Sequence, residues 1–109
     1  MAESHGAQTL FWSLASELTA QDPRVVEGTI MRGRCLRLGK AFLALPDFKG
    51  SGMVVKLSRE RVQALINQGV GEPFGPGNRV FREWVSIPRL DRVLWKRLLQ
   101  EAIALAERK

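Results

Sequence analysis

The chain opens with apolar residues at helical spacing. Ala7, Leu10, Leu14 and Leu18 recur at three- and four-residue steps with Phe11 beside them, while Ser13, Ser16 and Glu17 fall opposite. This predicts an amphipathic helix ending near Gln21-Asp22-Pro23, preceded by a frayed tail over residues 1–6. Trp12 lies off the apolar arc, so it either widens the buried face or stands at the surface. From Val25 the period shortens to two: Val26, Gly28 and Ile30 share one face of a strand, and Leu36 and Leu38 share one face of the next. Gly39-Lys40 makes a tight hairpin link to a strand over Ala41 to Leu45, stopped by Pro46. After a loop over Asp47 to Gly52, Met53, Val55 and Leu57 alternate with Val54 and Lys56 as a further strand.

Ser58 then reads as a helix N-cap, with Leu57 and Val62 at the two positions of a hydrophobic staple. Val62, Leu65 and Ile66 form the buried stripe of a short helix that Gly69 ends. Gly69 to Gly77, with four Gly and two Pro, reads as a loop. Val80 to Ile87 is strand-like, with Phe81, Glu83, Val85 and Ile87 on one face and Val80, Arg82, Trp84 and Ser86 on the other; Pro88 closes it. The last segment is the most periodic. Leu94, Trp95, Leu98, Leu99, Ala102, Ile103, Leu105 and Ala106 fill about half a helical circumference. Asp91 is its N-cap, with Leu90 and Trp95 as staple.

Length and composition narrow the class. A chain of 109 residues predicts one domain, and 45% hydrophobic with 26% charged residues is ordinary globular composition, excluding disorder, a collagen repeat or a disulfide scaffold. No apolar run can cross a bilayer and no basic, apolar leader opens the chain, so a cytoplasmic location is expected. Cys35, the single cysteine, cannot form an internal disulfide, which suits a reducing compartment.

Charge supplies the first functional signal. Seventeen Lys and Arg against eleven Asp and Glu give +6, and twelve of the seventeen are Arg, whose fork of donors matches phosphate and carboxylate. From Gly28 to Leu45 the chain holds Arg32, Arg34, Arg37 and Lys40 and no acid. These four read either as a solvated strand face that blunts a sheet edge or as an electrostatic footprint for nucleic acid.

Catalytic chemistry is poorly supplied. With one His, one Cys and no Tyr, the usual proton-transfer and metal-binding groups are nearly missing, and neither metal nor cofactor is predicted. His5 reads as an idle side chain of the tail. Cys35 reads as a small strand thiol or, less simply, as a thiolate lowered by its arginine neighbours. The glycines of Gly69 to Gly77 follow a helix and lack a Lys-Ser/Thr ending, so they read as a connector and not as a phosphate loop. Glu83 alternates with Phe81 and Val85, which would carry a carboxylate inward and predicts a structural ion pair with an arginine. Arg82 and Trp84, two residues apart, could place a guanidinium beside an indole and bind a base or a partner.

The stretches Met31 to Ala44 (MRGRCLRLGKAFLA), Met53 to Val62 (MVVKLSRERV), Glu72 to Gly77 (EPFGPG) and Phe81 to Val85 (FREWV) together resemble the TfoX N-terminal domain and the related MmcQ/YjbR-like proteins. The resemblance runs from about Val25 to the end of the chain. It implies an α+β fold of two layers, an antiparallel sheet of about five strands against helices, in the order α-β(3)-α-β(2)-α. It also implies a transcription-associated or DNA-binding role without a catalytic residue set. Two functions are therefore expected. The first is a non-enzymatic nucleic-acid-binding module using Arg32, Arg34, Arg37 and Lys40, with Arg82 and Trp84 as further contacts. The second is an interaction domain that meets an acidic protein surface or a second copy of itself, with no membrane role.

Overall fold

A computed structural model of the chain describes residues 2–30, 33–46, 52–75 and 81–108, with the side chains of residues 2–5 and 30 excepted. Three helices and six strands follow in the order α1 (Ala2–Gln21), β1 (Val25–Ile30), β2 (Gly33–Leu38), β3 (Ala41–Pro46), β4 (Met53–Lys56), α2 (Arg59–Asn67), β5 (Glu72–Pro73), β6 (Trp84–Ile87) and α3 (Arg92–Glu107). The fold is α+β, with a fully antiparallel sheet ordered β1-β2-β3-β4-β6-β5. Four strands precede α2, one more than the resemblance implies, and the two-residue β5 lies inside the segment expected to be loop. The expected fraying of residues 1–6 is replaced by helix from Ala2.

Local signals explain most boundaries. Pro23 has no N–H to continue α1, and the turn after it is fixed by Asp22, whose carboxylate accepts from the Arg24 backbone N–H at 2.9 Å. Ser58 accepts from the Arg61 N–H at 3.2 Å, and Asp91 from the Leu94 N–H at 3.1 Å, so both predicted N-caps are in place. At the end of α2, Gly69 at φ +75 donates to the Ile66 carbonyl and Val70 to that of Leu65, a Schellman closure that a side chain would strain. Pro46 does not stop β3 from outside; it is the strand's last residue, paired with Met53.

Alternation along the strands sends Val25, Leu36, Ala44, Met53, Val55, Val85 and Ile87 to one side of the sheet, where they meet Phe11, Leu14, Leu65, Trp95, Leu98 and Leu99 from the helices. Trp95 is fully buried, and its indole N–H donates to the Arg89 carbonyl at 2.8 Å, so the largest core side chain brings no unsatisfied donor with it. In β3, Leu36 opposes Ala44 and Arg37 opposes Phe42, leaving Leu43 as the extra residue of a bulge; Leu43 and Ala44 both enter the core. Arg61 of α2 donates to both carboxylate oxygens of Glu101 in α3, at 2.9 and 3.2 Å, and ties the two helices together.

Candidate functional site

The helices cover one side of the sheet, and the other side carries a second apolar cluster. Cys35, Leu45 and Val54 are buried there, with Phe42, Phe74 and Trp84 packed against them. Phe81 meets Phe74 edge to face at 6.3 Å, and its N–H donates to the Phe74 carbonyl at 2.7 Å. Lys56 pairs with Trp84 across β4 and β6, so both project toward this second side.

Next to this face, α2 and the turn before β6 enclose an open groove of about 580 Å³, lined by Arg59, Glu60, Gln63, Ile66, Phe81, Arg82 and Trp84 among others. Trp84 is half-buried and belongs to both places: one part packs on the second cluster, another forms the groove wall. Arg59 and Arg82 are exposed at the groove. Among the described residues no ion pair joins Arg37, Lys56, Arg59 or Arg82 to a carboxylate, whereas Glu17, Asp22, Glu27, Glu101 and Glu107 are each engaged by cations elsewhere.

The basic hairpin is not assembled as one surface. Arg34 shares the helix-facing side of β2 with Leu36, and its guanidinium lies 4.2 Å from the Trp12 ring centroid while pairing with Glu27. Its Nη2 donates to Glu27 Oε1 at 2.9 Å, and that hydrogen bond holds the Glu27 carboxyl below its ordinary pKa. Trp12 thus widens the buried face: it stands edge to face on Phe11 at 4.8 Å and donates to Gln8 at 3.3 Å. Arg37, three residues from Arg34 on the same strand, faces the opposite side of the sheet. Lys40 sits in the exposed turn between β2 and β3, at the far end of β2 from Arg34. Arg32 and Val80 lie outside the described residues, as does the side chain of His5.

Glu83 departs from the alternation predicted for it. β6 begins only at Trp84, whose N–H closes a turn onto the Phe81 carbonyl at 3.2 Å, so Glu83 belongs to that turn and not to the core face. Its backbone carbonyl accepts from Leu57 at 3.0 Å, and among the described residues no arginine pairs with its side chain. Cys35 is fully buried, which pushes its thiol pKa up; the nearby Arg37 pulls the other way and is the weaker influence. A thiolate activated by arginines is thus not what this site holds. Lys56, Arg59, Phe42 and Phe74 were not visible as site residues in the sequence. Only the pairing of β4 with β6, across the intervening α2, brings Lys56 beside Trp84. Among the described residues no group of three or more His, Cys, Asp and Glu could hold a metal ion, and no helix is long and apolar enough to cross a membrane.

Compared with family models, curated proteins and solved structures, the chain finds no match.

Proposed function

We propose that this chain is a non-enzymatic nucleic-acid-binding module of the cytoplasm, related to the TfoX N-terminal and YjbR-like domains. It holds a single strand across the helix-free side of its sheet. The observation that carries this reading is Trp84, half-buried at the junction of that side with the α2 groove, with Lys56 opposite it on β4, Arg59 and Arg82 lining the groove, and Arg37 farther off on β2 of the same side, none of them neutralised by a described carboxylate. A fixed indole offers a stacking surface to any base, and unpaired cations around it suit a phosphate backbone. The net charge of +6 favours the encounter. Relative to the expectation from sequence, the contact surface keeps Arg37, Arg82 and Trp84, gains Lys56 and Arg59, and loses Arg34.

Fluorescence anisotropy with a labelled oligothymidylate and with a duplex, each across a salt series, tests it. The single strand should bind with an affinity that falls steeply as salt rises. Trp84→Leu should weaken that binding about tenfold or more, the scale of one lost base stack. Absence of binding at low salt, or binding indifferent to salt, rejects the proposal.

A second reading has one observation in its favour. Among the described residues β1 pairs only with β2, so one edge of this six-residue strand has no described partner strand, and Val26 on it is 37% exposed. Two copies could join there edge to edge. Light scattering showing a monomer at high concentration would exclude it.

A further inference from the structure

We infer that Arg37, seated across Gly28, is a prearranged phosphate-binding side chain, and that Gly28 is the positioning residue that allows the seat. The inference rests on the nucleic-acid reading above and names one contact within it.

Two observations carry it. A Cβ built on Gly28 would stand 2.4 Å from Arg37 Nε and 2.9 Å from both its Cδ and Cζ, so the guanidinium lies directly on the glycine backbone, in space any side chain would take. Independently, Arg37 Nε is buried and makes no hydrogen bond, and no described carboxylate pairs with the side chain. An arginine free to move would turn that donor to water or reach for an acid, as Arg34 does on the other side of the same strand. Arg37 instead keeps one donor unsatisfied and lies along β1 on the helix-free side, above the buried Cys35. A guanidinium held flat and unneutralised loses little freedom when an oxyanion arrives, and its planar fork matches two oxygens of a phosphodiester.

Glycine at position 28 is therefore a functional choice. The three atoms nearest an alanine Cβ there all belong to the flexible Arg37 side chain, so the strand should persist and Arg37 must swing away. Gly28→Ala keeps every charge of the protein and removes the seat, whereas Arg37→Gln removes the charge itself.

Both variants and the parent protein are titrated with the same oligothymidylate across a salt series, with thermal unfolding as a check on the fold. Gly28→Ala and Arg37→Gln should each weaken binding about tenfold at low salt, and Arg37→Gln should lower the salt slope by about 0.7, one single-strand phosphate contact. Arg37→Lys should restore the slope but not the full affinity. If the parent binds in a salt-dependent manner and both variants match it, the Arg37 contact is wrong while the binding function stands. If only Arg37→Gln weakens binding, the charge matters and the seat on Gly28 is refuted. If the parent does not bind, both proposals fall.

Discussion

Arg34 and Glu27 neutralise one another at the rim of the helix-facing side, with the Trp12 ring beneath the guanidinium. Because the pair is exposed, its contribution is small and screened by salt, well below that of a core residue. Its sign is still testable. The folded-state pKa of Glu27 is depressed below its ordinary value of 4.5, so the stability it supplies is present above that value and is lost as pH falls through the folded one. Urea unfolding of Glu27→Gln should therefore show slightly lower stability at neutral pH and a shallower decline under acid than the parent; an unchanged acid limb would contradict the assignment. Cys35 makes a second residue-level prediction. Buried and with its pKa raised, it should be alkylated in native buffer only at the rate the protein opens, and at the rate of a free thiol once urea unfolds the chain.

The ends of the helices rest on single side chains. Ser58→Ala and Asp91→Ala each remove one acceptor from a first-turn N–H, and each should cost about 1 kcal/mol in equilibrium unfolding. Leu36→Ala, beneath the helices at a fully buried position, should cost about 2–5 kcal/mol by comparison. The two N-caps and the Gly69 closure were legible in the sequence because each is decided within five or six consecutive residues. β5 was not: Glu72 and Pro73 carry no strand propensity and become a strand only through pairing with Ser86 and Val85. Glu83 was misplaced for a related reason, since the turn closing at Trp84 interrupts an alternation that looks continuous in the chain.

At the scale of the molecule, the succession of helices and strands followed from the periods, and the α+β class with an antiparallel sheet, implied by the resemblance, is what the structure has. The grouping of cations did not. Arg34 and Arg37 are an odd number of residues apart, and on a strand that spacing divides them between two sides, so a run of positive charge in sequence is not a patch in space. Arg82 and Trp84 were legible as candidates, and both line the α2 groove, with Arg82 in the turn before β6 and not on the strand face expected for it. Their neighbours Lys56 and Arg59 were hidden by long-range pairing, which no local period encodes.

That pairing also shapes how the molecule should assemble. β1 to β2, β2 to β3, β3 to β4 and β5 to β6 join successive strands, whereas β4 must find β6 across the whole of α2 and β5. Loop closure makes this the seam with the largest entropic cost, so the local meander should be structured in the transition state and the β4–β6 seam should form after the barrier. In chevron kinetics, Val85→Ala on that seam should chiefly accelerate unfolding, and Leu36→Ala in the meander should chiefly retard refolding. The first excursions from the native state would then separate β5 and β6 from the meander, opening Trp84 and the α2 groove before the remainder of the core yields.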